Sequence, residues 1–565
     1  MRSFLFPAVL SVTCALLYVA ILPVAIGSTP DGADGKRPNI LLLLSDDHSY
    51  PYLSCYGDHN VKTPNIDRLA KEGFASHRFF TACPQCVPSR AALMTGKSPV
   101  AARMTRFSSP LPADQITLPE ILREQGGYYT GICGRSYHLD GSVGRGNDVA
   151  DTILRENNLR TFENRVQFLQ GCRDEAVPGV VEEFLDGRPE DQPFFLWANF
   201  SDPHHVWDAP QSWRPDPKDL SLPAHWPDIP EMREQFADYC AEVNRLDDTV
   251  GKVLAVMENR ELLDNTIVVF LGDNGAALPH GKGSLYDPGS NVPCIIHGPG
   301  IAKSTESRNL LSGEDVAPTL LEAAGLSIPK SMTGVSFWSL VTGADYQSRP
   351  YVYIERGPHG SASVSVNMSS SGYDLGRAVR SDRFKFIYNC TPWLPYSPVD
   401  SASGPAWTAM KKQNEEGTLA DQWKAAYFTV PRPVYELYDL ESDSSELHNL
   451  AGKPEFAELE DQLRRALTEK MILDFDYLPL PEPYSEATRR TKQPSGRAQG
   501  SEVDPARVTR FHALDRDEDG KLSPVEFRVN RNPEEAARWF SQRDANQDGY
   551  VDLREFAPRS PISRP

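Results

Sequence analysis

Three short runs of apolar residues place the tightest limits on what this chain can fold into. They occupy residues 39–44, 193–198 and 266–271 and contain few polar side chains. Because a strand of this composition must be buried on both faces, such runs are typical of parallel sheets with helices on each side. A stretch from Met232 to Glu258 has apolar residues at helical spacing and precedes the third run. We therefore predict an α/β layer architecture around a central, mostly parallel sheet.

Three acidic side chains and one amide follow the first and the third apolar run. Asp46 and Asp47 come after the first, and Asp273 and Asn274 come after the third. In open α/β sheets, ligands bind at the carboxyl ends of the strands, where the loops diverge. Oxygen ligands of this kind suit Ca²⁺ or Mg²⁺. An Asp-Asp pair after a strand is, on its own, more often a turn or a helix cap, so the metal hypothesis depends on the second acidic strand end.

The run from Cys86 to Gly96 reads CVPSRAALMTG and lies between these two acidic segments. With Cys83 it forms a C-x-x-C, which alone fits a redox pair or half of a zinc site. The sequence has no second C-x-x-C. The full run resembles the signature of the type I sulfatases, C-x-P-S-R followed by T-G. That resemblance implies that a formylglycine-generating enzyme oxidises Cys86 to an aldehyde, whose hydrate attacks sulfur and then expels sulfate.

The resemblance covers residues 37–475, because further segments follow in the family's order at 63–69, 117–120 and 272–275. It implies the alkaline-phosphatase-like sulfatase fold, with a smaller α+β subdomain at its C-terminal end. It also implies one Ca²⁺ in the active site, bound by Asp46, Asp47, Asp273, Asn274 and the modified Cys86.

The same resemblance assigns four basic residues. Arg90 is the cationic partner of the modified cysteine, and His138 is the base for its hydrate. His204 contacts the sulfate, and Lys282 bridges the sulfate and the leaving-group oxygen; either can assist the leaving group. Cations placed in this way match the charge that develops in the transition state. Segment 134–138 departs from the family's Gly-Lys-x-His by an inserted residue and by Arg135 in place of lysine, which leaves the role of Arg135 open.

Segments at 193–196, 202–204, 285–289 and 436–439 resemble the N-sulfoglucosamine sulfohydrolases, the heparan N-sulfatases, which cleave a sulfamate. The implied substrate is a sulfated glycan such as heparan sulfate. Lys282 favours an alternative, an O-sulfatase acting on another sulfated polysaccharide or an aryl sulfate, because the best-known members of the N-sulfatase branch have arginine there and O-sulfatases commonly have lysine. Two further alternatives are a phosphodiesterase on the same scaffold and a non-catalytic glycan-binding protein in which Cys86 stays a thiol.

Two twelve-residue segments near the C-terminus, 515–526 and 544–555, fit the calcium-binding loop of an EF-hand at every ligand position. Two complete loops at pair spacing predict an all-α EF-hand module that holds two Ca²⁺. The seventh position of each loop contributes its backbone carbonyl. The predicted ligands are, in loop order, Asp515, Asp517, Asp519, Lys521, Ser523 and Glu526, and then Asp544, Asn546, Asp548, Tyr550, Asp552 and Glu555.

The chain of 565 residues divides into five predicted segments. An apolar stretch after Arg2 indicates a signal peptide and hence an exported protein, periplasmic, secreted or lumenal, with no membrane association after cleavage. The alternative is an uncleaved segment that spans a membrane, because the stretch is long for a signal peptide. The net charge of −19 argues against a nucleic-acid partner. The segments are a signal peptide (1–27), a sulfatase catalytic domain (37–348), its C-terminal subdomain (349–478), a linker (479–505) and an EF-hand pair (506–558).

Overall fold

The computed structural model describes most of the chain after residue 36. The described ranges are 37–106, 111–136, 152–153, 156–157, 159, 162–359, 373–481, 505–528 and 532–556. The predicted signal peptide at 1–27 and most of the predicted linker lie outside them. Contacts divide the chain into two units, Met1–Pro481 and Glu482–Pro565. Within the described ranges, no helix has the length and apolar character needed to cross a membrane.

Among the described residues of the first unit, ten strands precede residue 313. They are β1 (Asn39–Ser45), β2 (Phe74–Ser76), β3 (Phe79–Phe80), β4 (Tyr129–Gly134), β5 (Phe168–Gly171), β6 (Phe194–Asn199), β7 (Thr266–Gly272), β8 (Cys294–His297), β9 (Thr305–Ser307) and β10 (Leu311–Ser312). Eight of them form one sheet in the order β5-β4-β6-β1-β7-β8-β2-β9. Only β8 runs antiparallel to its neighbours, so the mostly parallel central sheet predicted from the apolar runs is confirmed. β3 and β10 pair separately.

Helices cover both faces of this sheet. They are α1 (Pro64–Glu72), α2 (Cys86–Thr95), α3 (Leu118–Gly126), α4 (Val177–Gly187), α5 (Pro230–Asn259), α6 (Asp287–Ser290), α7 (Val316–Ala323) and α8 (Trp338–Val341). The side chains of β1 alternate between two apolar clusters: Leu42 packs with α2, α3 and α7, and Leu43 packs with α1, α4 and α5. Both faces of β1 are therefore shielded from solvent, which is why its sequence is an unbroken apolar run.

A second, antiparallel sheet follows in the first unit. It consists of β11 (Val352–Arg356), β12 (Gly376–Arg380), β13 (Phe384–Asn389) and β14 (Tyr435–Asp439), in that order. The helices α9 (Pro405–Glu415) and α10 (Asp421–Phe428) lie between β13 and β14, and α11 (Ala457–Leu473) follows β14. One face of the sheet packs on α11, and the other packs on Leu285. The second face therefore meets the segment that follows Lys282.

The second unit has a small apolar core of its own, which includes Phe511, Leu522, Phe527, Val551 and Phe556. Two short strands pair antiparallel within it, with Leu522 opposite Val551. Its described elements are α12 (Pro505–Leu514), β15 (Lys521–Leu522), α13 (Pro524–Phe527), α14 (Pro533–Arg543), β16 (Val551–Asp552) and α15 (Leu553–Phe556).

Candidate active site

The two acidic strand ends lie side by side. β1 and β7 are adjacent and parallel, with Ser45 opposite Gly272, so the residues that follow them emerge at the same edge of the sheet. The backbone N–H of Asp273 donates to the carbonyl of Ser45 (3.1 Å), and the N–H of Asp47 donates to Oδ1 of Asp273 (3.0 Å). Asp47 itself has a φ of 63°. The strand pairing and these two bonds fix the carboxylates relative to each other.

Cys86 lies against these carboxylates. It is the first residue of α2, and its sulfur lies 3.3 Å from Oδ1 of Asp46 and 3.9 Å from Oδ1 of Asp47. One ligand atom from each of Asp46, Asp47, Cys86 and Asp273 lies within 4.8 Å of the others, and all four residues are buried. Cys83 has a different neighbour, since its sulfur contacts Gln85 at 3.8 Å. Of the two cysteines in the C-x-x-C, only Cys86 therefore has its sulfur against the acidic cluster.

The cluster has the donors that a divalent cation needs. Burial, and after it the charge of Asp46, raises the pKa of the Asp273 carboxyl to about 6. Burial also raises the pKa of Asp47 well above its ordinary value. The amide nitrogen of Asn274 donates to Oδ1 of Asp47 (2.8 Å), whereas its buried Oδ1 has no hydrogen-bond partner among the described residues. Three carboxylates and one unpartnered amide oxygen fit Ca²⁺, which offsets the repulsion between the acids.

Two guanidinium groups form ion pairs with the acids. Arg90 is fully buried; its Nε lies 2.9 Å from Oδ2 of Asp273, and its terminal nitrogen lies 2.9 Å from Oδ2 of Asp46. Arg135 follows β4, and its Nε also lies 2.9 Å from Oδ2 of Asp46. The rigid fork of Arg90 therefore fixes one oxygen on each of two candidate ligands. Arg135, whose role the sequence left open, is an ion-pair partner of Asp46.

Lys282 and His204 both lie next to Asp47 and Asp400. The Lys282 ammonium is 2.8 Å from Oδ1 of Asp47 and 2.7 Å from Oδ2 of Asp400. Nε2 of His204 lies 3.8 Å from a carboxylate oxygen of each of the same two residues. His359 is also close to this group, with its Nε2 3.8 Å from Oδ1 of Asp400. The predicted Lys282 and His204 thus share one pocket, whereas the predicted His138 lies outside the described residues.

Burial and neighbouring charges set the protonation of these groups. Burial alone would lower the pKa of the Lys282 ammonium, but the carboxylates of Asp400 and Asp47 together raise it well above its ordinary value. Burial, and after it the charge of Lys282, lowers the pKa of the His204 imidazole well below its ordinary value. Burial, and after it the charge of Asp46, raises the pKa of the Cys86 thiol. Near neutral pH the pocket therefore holds a charged lysine, a neutral histidine and an un-ionised thiol.

Asp400 and His359 are pocket residues that the sequence did not indicate. His359 follows β11, and Asp400 lies in the loop between β13 and α9. Neither residue has a flanking motif or a position after an apolar run of the central sheet. No signal in the sequence alone points to them.

The predicted EF-hand loops lie in the second unit. Asp515, Asp517 and Asp519 each place an oxygen within 4.8 Å of the others, and the buried Oδ1 of Asp515 has no hydrogen-bond partner within the described part of the chain. Hydrogen bonds from backbone N–H groups at Ser523 and Arg516 help to lower the pKa of the Glu526 carboxyl to about 2. Lys521 and Tyr550, at the seventh positions, sit in and beside the paired strands. The remaining predicted ligands lie in the same two loops: Ser523 in the first loop, and Asp544, Asn546, Asp548, Asp552 and Glu555 in the second.

In the second loop, a ladder of local hydrogen bonds shapes the backbone. Asp544 accepts from the N–H groups of Asp548 and Gly549 at 3.1 Å, and Asp548 accepts from that of Tyr550 at 2.9 Å. Gly549, at the sixth position, has a φ of 85°, as Gly520 of the first loop has a φ of 82°. Side chains other than glycine rarely adopt this backbone conformation. Both loops therefore turn where an EF-hand loop requires a glycine.

Three protein-family models match the chain. The model described as Sulfatase matches residues 38–326, and the model for the C-terminal part of N-sulphoglucosamine sulphohydrolase matches residues 280–390. The EF hand model matches twice, at 508–529 and 536–557. The predicted family and the EF-hand pair are thereby confirmed.

Curated proteins from several organisms are similar over most of the chain. An ulvan-active sulfatase of Formosa agariphila is 30% identical over 79% of this chain and 77% of its own length. Human N-sulphoglucosamine sulphohydrolase is 28% identical over 80% of this chain and 92% of its own length. An N-acetylglucosamine-6-O-sulfatase of Bacteroides thetaiotaomicron is 25% identical, with coverages of 82% and 91%.

Solved structures support the fold. One, of a protein in complex with its substrate D-glucosamine-2-N,6-O-disulfate, matches with a TM-score of 0.58 at 20% identity and covers 79% of this chain and all of that chain. The phosphonate monoester hydrolase of Agrobacterium radiobacter matches with a TM-score of 0.59 at 19% identity, with coverages of 78% and 96%. At such identities the likeness extends to the fold alone. From the family models and the curated relatives it follows that the chain belongs to the sulfatase family and is a hydrolase of sulfuric esters or sulfamates.

Proposed function

We propose that this protein is an exported, calcium-dependent sulfatase that removes sulfate from sulfated glycans after conversion of Cys86 to formylglycine. The observation that carries the proposal is the position of Cys86. Its buried sulfur lies 3.3 Å from Asp46 and faces three strand-end carboxylates. A thiol whose pKa is raised by burial is a poor nucleophile, so this position suits a residue that is modified before it acts.

Ca²⁺ held by Asp46, Asp47, Asp273 and Asn274 would supply a Lewis acid, and formylglycine at Cys86 would supply, as its hydrate, the nucleophilic hydroxyl group. Arg90 fixes Asp46 and Asp273 as ligands through its two 2.9 Å ion pairs. Lys282, which keeps its charge, places its remaining N–H between a sulfate oxygen and the leaving-group oxygen. Neutral His204 donates a hydrogen bond to the sulfate from the same side of the pocket. His138 is proposed as the base on the strength of the family resemblance.

We infer the remaining features from the sequence. The proposed organisation is a signal peptide at 1–27, a catalytic domain at 37–348, its subdomain at 349–478, a linker at 479–505 and an EF-hand pair at 506–558 that binds two Ca²⁺. A formylglycine-generating enzyme is the proposed partner in maturation.

The match of residues 280–390 to the C-terminal model of N-sulphoglucosamine sulphohydrolase favours an N-sulfated glucosamine as the substrate. Lys282 and the similarity to an N-acetylglucosamine-6-O-sulfatase and to ulvan-active sulfatases favour the second candidate, an O-sulfatase acting on a polysaccharide. A phosphodiester or phosphonate substrate has support from a shared fold alone. Membership of a hydrolase family argues against the glycan-binding alternative.

Mass spectrometry of the Cys86 peptide, from protein made in its own host, tests the modification. We expect a loss of about 18 Da relative to the cysteine form. The same protein is then assayed for sulfate release from glucosamine 2-N-sulfate, glucosamine 6-O-sulfate and 4-nitrophenyl sulfate, with 4-nitrophenyl phosphate as the comparison. Cys86→Ala, which cannot be modified, is the control for each substrate. An unmodified thiol, or turnover that survives in Cys86→Ala, contradicts the proposal.

A further inference from the structure

The loop between β13 and α9 brings one carboxylate into the pocket, that of Asp400. Its Oδ2 lies 2.7 Å from Nζ of Lys282, and its side chain is 32% exposed, whereas that of Lys282 is 1% exposed. Among the described residues, the other carboxylate that forms an ion pair with Lys282 is that of Asp47, which the proposed function assigns to the metal. Asp400 is therefore the acidic partner of Lys282 that lies outside the candidate ligand set.

The loop that carries Asp400 is fixed against the loop that carries Lys282. Val399 and Ser401 are buried, and the carbonyl of Val399 accepts a 2.8 Å hydrogen bond from the N–H of Ser401. Gly283, next to Lys282, has a φ of 76°, and a Cβ atom built on it would lie 2.4 Å from Cγ2 of Val399. The two loops therefore touch at a glycine, which leaves the Asp400 carboxylate little freedom to move away from the ammonium group.

An ammonium group has three N–H donors and no acceptor. Asp47 lies 2.8 Å from Nζ of Lys282 and Asp400 lies 2.7 Å from it, so two of the three donors face carboxylates. The direction of the third donor is then set by the first two. Because a lysine side chain has four rotatable bonds, without a second anchor its ammonium group would be poorly directed.

We propose that Asp400 is a positioning residue: it holds the Lys282 ammonium against Asp47 so that the third N–H points at the leaving-group oxygen of the substrate. This inference rests on the proposed role of Lys282 in the sulfatase reaction. It gives the C-terminal part of the first unit a direct influence on the chemistry at the ends of β1 and β7. Asp400 acts through Lys282 and does not itself contact the bond that breaks.

A double-mutant cycle tests this coupling. Asp400→Asn, Lys282→Ala and the double variant are assayed on 4-nitrophenyl sulfate and on phenyl sulfate, whose leaving oxygen is more basic. We expect Asp400→Asn to lower kcat roughly 10-fold on phenyl sulfate and less on the nitrophenyl ester, with no further loss in the Lys282→Ala background. Asp421→Asn, an exposed aspartate at the start of α10, is the matched control. Equal losses on both esters, or losses that multiply in the double variant, overturn the proposal.

A crystal structure of Asp400→Asn supplies a readout that needs no turnover. We expect Nζ of Lys282 to leave the position that it holds in wild-type crystals, while the Asp46, Asp47 and Asp273 carboxylates stay in place. An unmoved ammonium group would show that Asp400 does not position it. If the wild-type protein releases no sulfate from any ester or sulfamate, the proposed function fails, and the crystallographic comparison still decides the role of Asp400.

Discussion

At the scale of single residues, the site consists of buried carboxylates and cations whose charges compensate one another, so removing any one of them destabilises the fold. Asp46, Asp47 and Asp273 face the cations of Arg90, Arg135 and Lys282 at 2.8–2.9 Å. Removing one partner from a buried ion pair leaves an uncompensated charge, which destabilises a protein far more than loss of a surface pair. The arrangement is therefore rigid before any substrate arrives, as catalysis by preorganised charges requires.

Arg90→Lys should disrupt the ion pairs of Arg90 without changing the net charge of the site. Lysine is a point charge and cannot reach both Asp46 and Asp273 with the fork geometry of a guanidinium group. We expect a loss of about 3 kcal/mol in the free energy of unfolding, measured by urea denaturation, and a loss of sulfate release of at least about 100-fold.

The control for Arg90→Lys is Arg214→Lys. Arg214 also bridges two acids, Glu234 and Asp238, but those acids are 60% and 44% exposed. Exposed pairs contribute about 1 kcal/mol or less, so this variant should stay close to wild type in stability and turnover. Equal effects of the two substitutions on stability and turnover would show that the buried Arg90 ion pairs contribute no more than the exposed pairs of Arg214.

At the scale of elements, the long central strands and their acidic ends were predictable, because burial on both faces leaves an unbroken apolar run. The short strands β2, β3, β9 and β10 were not, because two or three residues carry no periodicity. Asp46, Asp47, Asp273 and Cys86 were found through strand ends and the family signature. Asp400 was not, because it reaches the pocket from the loop after β13, a strand of the second sheet, and that contact depends on how the two sheets pack.

The contact of the Gly283 loop with the Val399 loop is where that packing can be tested. Gly283→Ala puts a Cβ atom 2.4 Å from Cγ2 of Val399 and forces alanine into a left-handed backbone. We expect unfolding to become easier by about 2–4 kcal/mol, the sum of overpacking and backbone strain, together with a fall in kcat as Lys282 shifts.

Two further variants separate the causes of that loss. Gly417→Ala has a similar φ of 72° but no atom within 4 Å of the added Cβ among the described residues, so it should cost only about 1–2 kcal/mol. Gly283→Ala combined with Val399→Ala should recover part of the overpacking cost and none of the backbone cost. If Gly283→Ala and Gly417→Ala behave alike in urea denaturation, the loop contact does not constrain the pocket.

At the scale of the whole molecule, the chain combines two units with separate apolar cores. The first carries the candidate active site, and the second carries two loops that match the EF hand model. The cysteine signature and the EF-hand spacing are local patterns, so each unit was recognisable from its own segment of sequence.

Calcium should stabilise the second unit independently of the first. The clustered Asp515, Asp517 and Asp519 carboxylates repel one another, and a ligand that binds only the folded state at 100 times its Kd stabilises that state by about 2.7 kcal/mol. In calorimetry of the full-length protein we expect two unfolding transitions, both shifted upward by Ca²⁺. Glu526→Gln, which weakens the twelfth-position ligand of the first loop, should reduce the calcium-dependent shift of one transition only. Glu534→Gln, an exposed acid in the first turn of α14, is the matched control. If Glu526→Gln instead lowers both transitions alike, the two units do not unfold separately, and calcium binding at the C-terminus stabilises the enzyme itself.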